Sequence, residues 1–161
     1  LTDPIYTPIY ELARKYDKPV AVHMGLTAHP RAYLKYSHPL ALDEAAADHR
    51  KTQFVMCHFG NPFLQEAAAV LEKNRNVSTD LSGLLEGPVD LEVYFRERAG
   101  YLELLRTWLC YVGCWDRVMY GTDWPIVNLG DYIRYVQHVV PQEHWEAVFF
   151  DNANRIYHLG L

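Results

Sequence analysis

Four short apolar runs alternate with helical segments along this chain, and that alternation predicts an α/β fold with parallel strands and helical crossovers. Four βα units make half of an eight-stranded (β/α)8 barrel of the TIM type, whose usual length is about 250 residues. The chain has 161 residues, so a half-barrel over 1–161 is the expected architecture. Three of the four runs end on a side chain suited to metal or proton chemistry: His23, His58 and Asp123. In such folds ligands bind at the carboxyl ends of the strands.

The elements follow in order. Thr7-Pro8 reads as an N-cap with proline at the first helical position, where its missing N–H costs nothing. Ile9, Leu12, Ala13 and Tyr16 then recur on one helical face, and Asp17-Lys18-Pro19 stops the helix. Residues 20–23 are the first strand. Residues 24–39 form a polar loop with two prolines, and 40–49 are alanine-rich and helical. The second strand spans 53–58. Gly60-Asn61-Pro62 turns the chain into a helix with Phe63, Ala67, Val70 and Leu71 on its apolar face. A weaker third strand at 76–81 precedes a loop at 82–88 and a long helix over about 92–115. The fourth strand is 118–122. Ile133, Val136 and Val140 mark another helix, Trp145, Val148 and Phe149 continue the helical pattern, and 152–159 close the chain.

Composition narrows the class. Half of the residues are hydrophobic, which is incompatible with a disordered chain. The net charge is −5 and basic residues do not cluster, so nucleic acid is not the expected partner. No apolar run approaches the roughly 20 residues of a membrane helix, and there is no basic-then-apolar leader. Three cysteines without a CxxC spacing do not form a disulfide framework, which points to a reducing, cytoplasmic setting. The chain opens on Leu1 rather than methionine and runs at once into a helix, so an N-terminal part is expected to precede it. A four-stranded half leaves two raw edges and an unfilled interior. Either further chain or a second copy is expected to supply the rest, the latter making a homo-oligomer.

Side chains alternate along a strand. An inward His23 carries Ala21 inward with it. An inward His58 carries Met56 and Phe54, leaving Val55 and Cys57 outward. An inward Asp123 carries Gly121 and Met119, leaving Val118 and Tyr120 outward. Neutral imidazole and carboxylate are the usual ligands of a catalytic zinc that keeps one position open for water. Such an ion lowers the pKa of its water from near 16 towards about 7, and an adjacent Asp can orient that water and take its proton. His23 therefore reads as a ligand, His58 as a ligand or acid/base, and Asp123 as a ligand or general base. Asp80, near the end of the third strand, could orient a ligand histidine or simply form a turn before Ser82-Gly83. His29, in the first loop, is a candidate substrate contact, and Trp124 a candidate pocket wall. Cys57 reads as a small apolar packing residue.

Taken together, these pieces resemble the amidohydrolase-related family, in the branch of aminocarboxymuconate semialdehyde decarboxylase-like enzymes. The resemblance rests on Val22-His23-Met24-Gly25, Ser37-His38-Pro39-Leu40, Cys57-His58-Phe59-Gly60-Asn61-Pro62 and the run from Asn76 through Asp80 to Gly83. Tyr120-Gly121-Thr122-Asp123-Trp124-Pro125 and Asn152-Ala153-Asn154-Arg155-Ile156 complete it, in the family's order and over essentially the whole chain. It implies that these strands are the fifth to eighth of a (β/α)8 barrel with one or two divalent metals, usually zinc. His23 then matches the fifth-strand ligand, His58 the sixth-strand ligand or acid/base, and Asp123 the eighth-strand aspartate that binds metal and handles the water's proton. The family's first-strand His-x-His pair is not in this chain. The implied activity is metal-dependent hydrolysis of a C–N, ester or lactone bond of a small molecule. The alternatives are non-oxidative decarboxylation at the same site, or a metal-free half-barrel that pairs with itself or binds a partner.

Overall fold

The computed structural model describes residues 1–161 and contains one four-stranded parallel sheet in the order β1-β2-β3-β4. The strands are β1 (Val20–His23), β2 (Phe54–Cys57), β3 (Val77–Asp80) and β4 (Val118–Met119). The helices are α1 (Thr7–Lys15), α2 (Pro39–Asp48), α3 (Leu64–Lys73), α4 (Leu91–Glu97), α5 (Ala99–Val112), α6 (Leu129–Val139) and α7 (Asn152–Tyr157). None is long and apolar enough to cross a membrane. The expected βα alternation is therefore present, with Val20 opposite Phe54 and Phe54 opposite Val77 in register.

One large apolar cluster fills the space between the sheet's helical side and α2, α3, α5 and α6; Phe54, Met56, Val77 and Val118 are its contribution from the strands. Buried side-chain donors tie off carbonyls that the helices and strand ends leave unpaired. Asn76 Nδ2 donates to Ala46 O, His49 O and Thr52 O at the end of α2. Arg117 Nη1 does the same for Leu71 O, Asn74 O and Val77 O at the end of α3. These bonds fix where β3 and β4 start, and so where their far ends lie.

The structure departs from the sequence expectations in several places. The long helix of 92–115 is two helices, because the backbone leaves the helical region at Arg98 (φ −106°, ψ 15°), just before Ala99-Gly100. The fourth strand pairs only over Val118–Met119, and the outward Tyr120 N–H donates to Val148 O at 2.7 Å. The apolar stripe of α1 does not face the core: Tyr10 is buried at 2% exposure, while Ile9, Leu12 and Tyr16 are more than half exposed. Each of the three forgoes much of the roughly 1.5–3 kcal/mol of a buried side chain. In β2 the inward and outward sets are exchanged. Phe54 and Met56 pack on the helices, and Val55 faces the inner side. His58 still reaches the inner side because it and Phe59 adopt left-handed φ values of 63° and 44°, which break the alternation. In β4 the expected orientation holds, with Val118 and Tyr120 on the helical side and Met119 inward.

The closing helix does not lie with the others. Ile156 of α7 packs on Val55 and Met119, on the inner face of the sheet. Asn152 Nδ2 bonds Trp115 O and Val118 O at 2.7 and 2.8 Å, and Lys18 Nζ reaches Tyr157 O at 2.8 Å. The helix thus plugs the end of the half-barrel at which the strands begin. A cleft of about 390 Å³ beside it is lined by Arg75, Arg117 and Arg155. Arg117 and Arg155 are both engaged by main-chain carbonyls.

Candidate functional site

At the opposite end of the strands, His23, His58 and Asp123 line one cavity of about 240 Å³. Three loops bring them there. His23 is the last residue of β1, and the chain after it is clamped on both sides. Gly25 N donates to Ser37 O at 2.6 Å, Ser37 Oγ to Gly25 O at 2.7 Å, and Leu26 N to Asn61 O at 2.8 Å. His38 caps α2 by accepting from Leu40 N through its Nδ1 (3.3 Å), which makes Ser37-His38-Pro39 a structural hinge for the first loop. His58 follows β2 in its left-handed turn. Asp123 follows β4 with φ 61°, a conformation that Asp and Asn tolerate better than most residues.

The rings of His23 and His58 sit edge to face with centroids 4.9 Å apart. Gly83 sits between His58 and Asp123. A Cβ there would fall 2.7 Å from His58 Nδ1 and 3.1 Å from Asp123 Oδ2, so only glycine lets the two approach across this loop. The His23 imidazole is held below its ordinary pKa, first by burial and then by the neighbouring His58, with the Leu26 carbonyl and Asp123 opposing. It is neutral at pH 7, the form a metal requires.

The tautomer of His58 follows from its partners. Its Nδ1 lies 3.0 Å from Ser82 O and 2.9 Å from Ser82 Oγ. A carbonyl oxygen can only accept, so Nδ1 carries the hydrogen and the Nε2 lone pair is free. Ser82 Oγ donates to Asp80 Oδ1 at 2.5 Å, and the same oxygen takes His58 N–H and Ser82 N–H, each at 3.0 Å. Asp80 is thus tied to the backbone and ring support of His58 and does not line the cavity. Sequence reasoning missed Ser82, although an Asp two residues before a Ser is a recognised turn spacing.

The other candidates lie apart. His29 bonds Arg31 N at 3.2 Å in an exposed turn, and Trp124 is 69% exposed; neither lines the cavity. The cavity adds six residues that were not named as site candidates: Met24, Leu26, Ala28, Asn61, Gly83 and Glu86.

Relatives are found among families and solved structures. The Amidohydrolase family profile matches residues 1–159. The chain belongs to the amidohydrolase family. An uncharacterized TIM-barrel protein from Bordetella bronchiseptica aligns with TM-score 0.70 at 21% identity, over 96% of this chain and 50% of that one. An amidohydrolase from Burkholderia multivorans, solved with bound zinc, gives 0.66 at 19% identity over 97% and 58%. A dihydroxybenzoic acid decarboxylase from Polaromonas sp. JS666, with manganese and the inhibitor 2-nitroresorcinol, gives 0.64 at 15% identity over 98% and 55%. This amidohydrolase chain spans between 50% and 58% of the length of those structures, so its sheet is the TIM-barrel type in half measure. No curated protein matches it.

The donor chemistry suits a divalent ion, since two imidazoles and a carboxylate meet at one cavity. In their present positions, no three of the chain's His, Cys, Asp and Glu side chains surround a common point. Cys57 reaches towards the same end but is no competitor as ligand or nucleophile. Burial, then the charge of Asp80, pushes its thiol far above the ordinary range. A thiol so raised stays protonated at pH 8. With iodoacetamide at that pH, exposed Cys110 is expected to be alkylated while Cys57 remains unmodified, read by peptide mass spectrometry. Rapid labelling of Cys57 would contradict that environment.

Proposed function

We propose that this chain carries the acid–base half of a metal-dependent hydrolase that opens a C–N, ester or lactone bond of a small molecule. The observation that carries the reading is the convergence of His23, His58 and Asp123 on one cavity at the carboxyl ends of three strands. His23, His58 and Asp123 are the residues that would hold a divalent ion, zinc being the first expectation. When bound, such an ion acidifies water to a pKa of about 7 and polarises a carbonyl.

The chain's own groups do the rest. Asp123 accepts a proton from the attacking water and returns it to the leaving nitrogen or oxygen as the carbonyl re-forms. The Nε2 lone pair of His58 is available to the ion or to a substrate proton, because Ser82 holds the ring's other nitrogen. Neutral His23 offers a lone pair without first losing a proton.

Non-oxidative decarboxylation at the same site is the second reading, favoured by the manganese-bearing decarboxylase that shares this fold. The test is a product assay on zinc- and manganese-loaded protein. Amides, esters and lactones are expected to release a titratable acid, and hydroxybenzoates no carbon dioxide. Carbon dioxide without acid release overturns hydrolysis in favour of decarboxylation. Neither product, together with no retained metal, makes the chain a non-catalytic half-barrel. In that case the free flank formed by β1 and α1 would serve a second copy or a partner.

A further inference from the structure

The polar head of Asn61, a side chain of the cavity, is aimed from outside it. Its Oδ1 accepts from Tyr101 Oη at 3.0 Å, across 40 residues of sequence, from the first turn of α5. Tyr101 is well buried, and that burial pushes its phenol up to about 12, so its O–H is intact at neutral pH. Behind it lies Tyr135, whose hydroxyl is fully buried with no hydrogen-bond partner and has the Tyr101 hydroxyl beside it. An asparagine that faces a donor with its oxygen must present its NH₂ on the other side. That nitrogen has no protein partner and is not buried, and Asn61 lines the cavity with His58 and Asp123.

We infer that Asn61 is a specificity-determining donor, aimed by Tyr101, which binds an acceptor oxygen of the substrate away from the reacting bond. The inference rests on the reading of this cavity as the substrate site. Its substrate class is a small molecule with a carbonyl, carboxylate or phenolate oxygen to spare. No Lys or Arg lines this cavity, so a neutral amide is the donor that this chain brings to such an oxygen. The Asn61 main chain is separately occupied: its carbonyl takes Leu26 N–H at 2.8 Å, which fixes the residue's position while the side chain stays available.

The test is calorimetric and NMR titration of zinc-loaded protein with 2-nitroresorcinol. The Asn61 side-chain NH₂ resonance is expected to move on binding. Asn61→Ala is expected to weaken binding about tenfold and Tyr101→Phe about threefold. The double variant should match Asn61→Ala alone, because Tyr101 acts only through Asn61. Asn61→Asp, nearly isosteric, guards against a folding defect and should bind the phenolate more weakly still. If wild-type protein binds and both Asn61 variants bind equally well, the inference falls while the site reading stands. If the losses from Tyr101→Phe and Asn61→Ala simply add, the aiming role falls. A wild-type protein that binds metal but not the probe overturns the substrate class, and one in which His58→Ala also leaves binding unchanged overturns the site reading itself.

Discussion

Asp123→Asn is expected to lower turnover by roughly 10²–10⁴-fold, the usual worth of a positioned acid–base group. Asparagine is nearly isosteric with aspartate and tolerates the same left-handed φ of 61°. The loop should therefore keep its course past Gly83, where Asp123 Oδ2 comes within 3.1 Å of the space a Cβ would occupy. What is lost is the carboxylate's capacity to accept and return a proton. Steady-state turnover and the unfolding midpoint, measured on the same preparations, separate the two effects. An unfolding midpoint near wild type with turnover within tenfold of wild type would remove Asp123 from the proposed role.

Gly25→Ala should destabilise the fold by about 3 kcal/mol or more, through a mechanism with no flexible escape. The new Cβ would sit 2.2 Å from Asn61 O and 3.0 Å from the Gly60 carbonyl carbon, both main-chain atoms. Gly25 also holds φ 114°, a conformation that L side chains rarely adopt. Its N–H and C=O are both bonded to Ser37, so the segment cannot swing outward without losing two hydrogen bonds. Because Asn61 O also anchors Leu26, relief on one side of the cavity displaces the other. Chemical denaturation checks the magnitude. A loss under about 1 kcal/mol would show that the clamp yields more readily than its geometry implies.

The fold was largely legible because parallel strands buried on the helical side leave a strong apolar signal, and helices between them leave a 3.6-residue one. The three strand-end side chains were legible for the same reason, since an acid or imidazole at the end of an apolar run stands out. What escaped the sequence lies where local rules are overridden. His58 and Phe59 adopt left-handed angles with no glycine or asparagine to announce them, so the two-residue period gave the wrong face for Phe54 and Met56. The stripe of Ile9, Leu12 and Tyr16 is a sound helical face, yet periodicity says only that such residues align and not which layer covers them. Tyr101 and Asn61 are 40 residues apart, and Lys18 and Tyr157 are 139 apart; no spacing rule connects such pairs. Ser82 was within reach, through its turn spacing to Asp80.

The sheet's two borders are not equivalent. On β4, the outward Val118 carbonyl is taken by Asn152 and the Tyr120 N–H by Val148, so the chain's own tail seals that margin. On β1, Val20 N–H points to Gln53 O, and the alternation of a parallel ladder turns the main-chain groups of Ala21 and His23 to the open side. Within this chain the two margins therefore differ in what they offer a neighbouring strand. The same tail that plugs the half-barrel therefore also ties off the main-chain groups of its last strand.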